Sequence, residues 1–211
     1  MLDLIIITPT IGRKTLTNTV ESIKNIKGNN WKSIIVFDGV KKNIDIKDDR
    51  FIILEREKKG EKNYAGLVRN IAFNYISNKN IKSKYICFVD DDDTLSPYYI
   101  NNLNEEIKHN KDAELIIFRM IYTKNDKYHV LPDERCTKIL KCRVGISFCM
   151  KYDLIKYKFN NNQYEDFFYI KNIELNKHKI IFWSFINYFV RNNYNDCKKY
   201  MKKYPRVKIN Y

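Results

Sequence analysis

Two periods of hydrophobicity alternate along the first 120 residues. Leu2–Thr8 is a continuous apolar run, the pattern of a strand buried on both faces. Pro9 to Lys14 reads as a loop. Thr15 to Ile26 places Leu16, Val20, Ile23 and Ile26 on one helical stripe, with Thr15 at the N-cap position. Ser33–Phe37 predicts a second strand, closed by Asp38-Gly39, and Phe51–Leu54 predicts a third. Tyr64–Ile76 predicts a helix through Leu67, Val68, Ile71, Ala72 and Tyr75. Tyr85–Val89 predicts a fourth strand, ended by Asp90-Asp91-Asp92-Asp93. Pro97 opens a helix to about His109, since Pro is tolerated in a first turn. Leu115–Met120 predicts a fifth strand.

This order predicts an α/β fold with a mainly parallel, Rossmann-like central sheet flanked by helices. In such sheets ligands bind beyond the carboxyl ends of the strands. Three segments fall there: Thr8-Pro9-Thr10, Asp38-Gly39 and the four aspartates. Beyond Tyr122 the pattern loosens. Lys124 to Lys138 is polar and reads as a long loop, Gly145–Met150 as a short strand, and Tyr164–Leu175 as a helix. Ile180–Trp183 and Phe185–Val190 are two apolar segments, and Cys197 to Tyr211 is basic and aromatic. With no internal repeat and no linker, residues 1–211 read as one domain with a regular half, 1–95, and a less regular half, 96–211.

Composition narrows the class. The 211 residues are 44% hydrophobic and 14% aromatic, enough for a sizeable core and wrong for a disordered chain. The formal charge of +14 attracts polyanions, but Lys is spread along the whole chain and forms no single basic arm, which argues against a dedicated nucleic-acid binder. The five cysteines are odd in number and show no C-x-x-C spacing, so the expectation is a reducing, cytoplasmic setting. No apolar run reaches the ~20 residues of a membrane span, and the first strand lacks the basic leader of a signal peptide. The segment Lys198-Lys199-Tyr200-Met201-Lys202-Lys203 suits weak contact with an anionic membrane, or leads into a further domain of a longer protein.

The aspartate run carries the most chemistry. Four adjacent carboxylates at the end of a buried strand repel one another unless a cation compensates them. Hard oxygen ligands imply Mg²⁺ or Mn²⁺, which commonly take one or two carboxylates plus substrate phosphates. The plain alternative is a solvated acidic turn before the helix at Pro97.

Phe88-Val89-Asp90-Asp91-Asp92-Asp93-Thr94-Leu95 resembles the D-x-D region of family 2 glycosyltransferases of the GT-A fold, with Val89, Asp90, Asp92, Asp93, Leu95 and Pro97 in register. The resemblance implies that Asp90 faces the donor ribose and sugar and Asp92 the metal, with Asp91 and Asp93 as adjacent candidates. Ile5-Ile6-Ile7-Thr8-Pro9-Thr10 resembles the family's first strand and donor loop, implying that Thr8, Pro9 and Thr10 line the nucleoside. Asp38-Gly39 stands where the family's Asp accepts N3–H of uracil or thymine, implying a UDP- or dTDP-sugar donor. Ala65-Gly66-Leu67-Val68-Arg69-Asn70 resembles the G-x-x-x-A-R-N helix, implying that Arg69 reaches the donor base or phosphates and that Gly66 allows a close backbone approach. Tyr164-Glu165-Asp166-Phe167-Phe168 resembles the family's E-D pair near the acceptor, implying Asp166 as catalytic base with Glu165 beside it. Tyr164, Phe167 and Trp183 offer aromatic faces for a sugar ring, while His109, His129 and His178 lack metal-ligand spacing.

What the resemblance implies is an inverting transfer of a sugar to a hydroxyl of a carbohydrate or glycan acceptor, assisted by Mn²⁺ or Mg²⁺ and no organic cofactor. Three other readings compete. Haloacid-dehalogenase-type phosphatases share apolar-D-x-D-x-T-L, met by Asp90, Asp92, Thr94 and Leu95, the first Asp as nucleophile. That motif normally follows the first strand and has Gly where Asp93 stands, whereas here three strands precede it. A sugar-phosphate nucleotidyltransferase needs a Gly-rich basic loop, of which Gly12-Arg13-Lys14 is a faint echo. A nucleic-acid-binding protein accounts for the charge but not for the aspartates.

Overall fold

The computed structural model describes residues 1–59, 64–125, 127–133 and 135–191. In chain order these form β1 (Leu2–Thr10), α1 (Leu16–Lys24), β2 (Trp31–Asp38), β3 (Phe51–Arg56), α2 (Gly66–Asn78) and β4 (Ser83–Phe88). Then come β5 (Thr94–Leu95), α3 (Tyr99–His109), β6 (Leu115–Lys124), β7 (Lys127–Leu131), β8 (Phe148–Lys151), a 3₁₀ turn (Tyr152–Lys156), α4 (Glu165–Leu175) and β9 (Ile180–Phe189). One sheet runs in the order β3-β2-β1-β4-β8-β6-β9-β5, with β7 paired to β6. The strands β3, β2, β1 and β4 are mutually parallel. β6 and β9 run the same way, and β5, β7 and β8 run against them.

The apolar runs fold as strands because the sheet is covered on both faces. Leu4–Ile7 and Ile34–Phe37 are fully buried. α1 buries Leu16, Val20 and Ile23, and α2 packs on β1 and β2. Thr15 does sit at the N-cap of α1, yet only its backbone carbonyl takes part, accepting from the amides of Asn18 and Thr19. Cys87 and Cys149 face each other across β4 and β8 as buried free thiols, and burial pushes the Cys87 thiol up.

Two expectations for the second half are corrected. Residues 127–131, expected within a long loop, pair with β6 as a hairpin strand. Lys127, Tyr128 and His129 are exposed, and the alternation of Tyr128 and Val130 with Lys127 and His129 is too short to betray a strand. The two apolar segments after Lys179 are one strand, β9, and the break between them is a register irregularity opposite Ile117 to Met120 of β6. Among the described residues, no helix is long and apolar enough to cross a membrane. The basic segment Lys198 to Lys203 lies outside the described residues.

Besides the pairing of β4 with β8 and of β5 with β9, the two halves meet where α2 touches the chain before α4. The Asn70 side chain donates to the Phe159 carbonyl (2.8 Å) and accepts from its amide (3.0 Å). Phe159 stacks on Tyr169 of α4 with centroids 4.0 Å apart. A Cβ on Gly66 would stand 2.3 Å from the Asn160 carbonyl, 3.0 Å from Phe159 Cβ and 3.3 Å from Glu165 Cβ. The close approach at Gly66 is therefore to the second half of the chain. Gly66→Ala should lower stability by about 1–3 kcal/mol, the usual cost of overpacking, despite Ala's better helix propensity. Thermal unfolding checks this: a midpoint at or above that of the unsubstituted chain would show that residues 159–160 yield freely.

Candidate functional site

The sheet order opens a crevice by itself. The chain leaves β1 for β2 and β3 on one side, then returns through α2 to β4 on the other. Crevices at such reversals lie at the carboxyl ends of the strands. Here a cleft of about 580 Å³ lies there, lined by Pro9 and Thr10 from β1, Asp38 and Gly39 at the end of β2, Asp90 to Asp93 after β4, and Arg69 and Glu165 from the helices.

The acidic turn is held by named groups on every side. The Asp93 amide donates to the Asp90 carbonyl at 3.1 Å, closing the turn. From α1, the Thr19 hydroxyl donates to the Asp93 carbonyl (2.7 Å) and Ser22 Oγ accepts the Leu95 amide (3.2 Å). These two buried polar side chains on α1 are thereby accounted for. Asp91 is buried; its Oδ2 accepts from Thr10 Oγ1 (2.6 Å) and its Oδ1 from Arg13 (2.5 Å). Asp90 Oδ1 accepts from Arg69, also at 2.5 Å. Asp93 Oδ2 accepts from the buried Tyr188 hydroxyl (2.6 Å) and Oδ1 from the Arg191 amide (2.8 Å). Burial first, and the neighbouring Asp90 charge second, push the Asp93 carboxyl up to about 8.

Asp92 is different. Its side chain is 29% exposed, and its nearest cations are Arg13 NH1 and Arg191 Nε, each 3.9 Å away, beyond hydrogen-bond reach. Burial and the Asp90 charge raise its pKa, and Arg13 opposes them.

Arg69 joins the two halves of the site. It is 3% exposed and bridges Asp90 and Glu165, with 2.5 Å to each. Burial works against its charge, and the carboxylates of Asp90 and Glu165 outweigh that, so its pKa is raised. Glu165 Oε1 also accepts the Ala65 amide at 2.9 Å. Glu165 thus faces the cleft as the anchor of Arg69. Asp166 is not among the cleft-lining residues; its Oδ1 accepts the Phe167 amide at 2.7 Å. Burial lifts its carboxyl to about 6.

The remaining sequence candidates divide. Asp38 Oδ1 accepts the Lys59 amide at 2.5 Å, and Gly39 turns the chain with φ +75°, where a Cβ would meet Lys58 Cβ at 2.7 Å. Thr8 is wholly buried in β1 and does not line the cleft. His178 is half-buried between Glu114 (2.9 Å) and the Tyr157 hydroxyl (2.8 Å), away from the aspartates. Trp183 packs on Phe185, Phe167 on Phe168, and Tyr164 carries Lys141 over its ring at 3.8 Å. Sequence reasoning missed Tyr188 and Arg191, and it met Arg13 only in the faint echo Gly12-Arg13-Lys14. Arg13 stands one residue after a glycine of φ +80° in the loop after β1. Tyr188 is hidden inside an apolar run, and nothing local marks Arg191.

Among the described residues no three His, Cys, Asp or Glu are grouped to hold a metal ion. The donor set fits one nonetheless, provided phosphate oxygens complete it: Asp92 offers a hard, partly exposed carboxylate at the cleft, with Asp90 beside it. Both oxygens of Asp93 are already engaged within the chain.

By sequence, no curated protein matches the chain. Among solved structures it is similar to S. aureus TarS 1–349, with TM-score 0.67, 14% identity, and 90% of this chain covering 60% of that one. For S. aureus TarS 1–349 in complex with UDP-GlcNAc, the TM-score is 0.69 at 16% identity, over 90% of this chain and 58% of that one. For S. aureus TarS the figures are 0.68 and 16%, over 96% of this chain and 39% of that one. The chain thus spans 60% or less of these structures, and identities this low speak for the fold, that of a GT-A glycosyltransferase. The model of the family named "Glycosyl transferase family 2" matches residues 5–201, nearly the whole length and every segment of the cleft: the chain belongs to glycosyl transferase family 2.

Proposed function

We propose that the chain transfers a sugar from a uridine diphosphate sugar to a hydroxyl of a carbohydrate or glycan acceptor, with inversion at the sugar carbon. The observation that carries this reading is the convergence, in one cleft, of Asp38, Arg69, Asp90 to Asp92 and Glu165 from four separate chain segments. It is supported by the TarS structures in complex with UDP-GlcNAc and UDP, whose fold the chain shares.

Each group has a task in this reading. Asp38 accepts the N3–H of uracil at the cleft end near Gly39. Asp90, held by Arg69, faces the ribose and sugar. Arg69 offers positive charge where the diphosphate departs, and Glu165 keeps that guanidinium in place. Asp92, with Asp90 next to it, holds Mn²⁺ or Mg²⁺, which when bound offsets negative charge on the leaving diphosphate. Asp166 takes the proton of the acceptor hydroxyl as it attacks the face opposite the departing group. A carboxyl lifted to about 6 suits that task, because a base is most effective with a pKa near the working pH.

Asp38→Ala should weaken UDP binding at least tenfold while leaving the rate at saturating donor within a few-fold, because the base lies far from the reacting carbon. Calorimetry with UDP reads the first and steady-state kinetics the second; unchanged UDP affinity would reduce Asp38-Gly39 to a turn. Asp166→Asn should leave UDP binding intact and cut transfer ~100- to 10,000-fold. In the unsubstituted chain, kcat/KM should fall about tenfold per pH unit below pH 6, because protonated Asp166 accepts no proton. Normal transfer by Asp166→Asn together with a dead Glu165→Gln would move the base to Glu165.

A further inference from the structure

Asp92 is flanked on both carboxylate oxygens by the chain's own cations. Arg13 NH1 lies 3.9 Å from Oδ1 and Arg191 Nε 3.9 Å from Oδ2. Neither is close enough to hydrogen-bond, and both line the cleft. Arg13 is fixed in that position. Its NH1 is bound to Asp91, whose other oxygen is bound to Thr10, and the Thr10 hydroxyl oxygen accepts the Gly12 amide at 2.9 Å. The Gly12 carbonyl in turn accepts from Asn43 at 2.7 Å. Arg191 is fixed through its backbone, by the bond from its amide to Asp93, while its side chain is 83% exposed.

A divalent ion arriving alone at Asp92 meets two guanidinium groups, and among the described residues no three carboxylates are grouped to hold it. A diphosphate changes that balance: its oxygens ligate the ion and also attract both guanidinium groups. We propose that Arg13 and Arg191 are built-in counter-cations of Asp92 that make binding of the divalent ion conditional on the donor diphosphate. The proposal rests on the function proposed above. It adds that ion and nucleotide bind with positive coupling, and that the coupling resides in these two side chains.

The test is calorimetric titration of Mn²⁺ into the full chain, free and saturated with UDP, for the unsubstituted protein, Arg13→Gln, Arg13→Lys and Arg191→Gln. Circular dichroism reports whether each variant is folded. The unsubstituted chain should bind Mn²⁺ at least tenfold more tightly in the UDP complex than alone. Arg13→Gln should tighten Mn²⁺ binding to the free chain about tenfold, the size expected of one unit charge near a doubly charged ion at a half-exposed site. Arg13→Lys keeps the charge and should keep the unsubstituted coupling. Arg191→Gln removes a solvent-facing side chain whose backbone bond remains, so it stays informative if Arg13→Gln unfolds; it should tighten free-chain binding severalfold. Unchanged or weaker Mn²⁺ binding in the folded Gln variants, with normal ion binding in their UDP complexes, overturns this proposal alone. If the unsubstituted chain binds UDP but no Mn²⁺ with it, the ion leaves the proposed function and this proposal falls with it. If it binds no UDP, the uridine donor reading and this proposal both fail.

Discussion

Four consecutive aspartates at the mouth of a buried sheet impose the condition that the rest of the site answers. Unpaired, each would lose several kcal/mol of hydration on burial and repel its neighbours. The chain meets the condition with four devices. Arg69 neutralises Asp90, Arg13 neutralises Asp91, the raised pKa of Asp93 favours its neutral form beneath Tyr188, and Asp92 keeps partial contact with solvent. The cation that sequence logic requires is thus supplied first by arginines. A divalent ion is left one carboxylate that the chain's own hydrogen bonds have not taken, and that suits an ion borrowed with a substrate better than one caged permanently.

The arginines can serve because the sheet order brings distant segments together. Arg13 follows β1, Arg69 sits in α2, and Arg191 follows β9, yet all three face the turn after β4. The switch from β2 on one side of β1 to β4 on the other places Thr10 against Asp91 across a sequence separation of 81. Gly66 and Asn70 then lock α2 to the segment before α4, and so fix the distance between Arg69 and Glu165. Helix packing and site geometry are here one constraint, since a shift of α2 to admit a methyl group would stretch the Arg69 bridge.

Much of the first half was legible because its elements are selected by local rules. A run such as Ile5-Ile6-Ile7 has few ways to be satisfied other than a strand covered on both faces. Asp38-Gly39 reads as a strand end because a left-handed position favours glycine. The second half resisted for equally physical reasons. β7 is exposed along most of its length and only five residues long, β5 is two residues long, and β9 is one strand whose irregular pairing looks like a break. At the site, the carboxylates were visible as a cluster, whereas their partners were not. Arg13 and Arg191 are surface-type residues in ordinary sequence surroundings, and their role exists only through contacts 78 to 99 residues away in sequence. The bond from Glu165 to Arg69 was equally closed to sequence reasoning, because which of two adjacent helix-opening acids faces the cleft depends on where α4 docks.

The net charge gains its meaning from the same geometry. The chain is formally +14, yet among the described residues its cleft is lined by six carboxylate residues, Asp38, Asp90 to Asp93 and Glu165, against four basic ones, Arg13, Lys58, Arg69 and Arg191. The diphosphate of the proposed donor would therefore be attracted at long range by the surface and met at short range by a locally acidic wall. The two effects act on different length scales. Surface charge is screened beyond a Debye length of about 8 Å at physiological salt, whereas the partly buried pairs around Asp90 and Asp91 are screened much less. In the proposed function, steering would bring the anion to the cleft, where Arg13 and Arg69 stay paired with Asp91 and Asp90 and turn their remaining N–H groups to it. Holding the guanidinium groups by the acidic turn in this way would place the site's positive charge beside the bond that breaks.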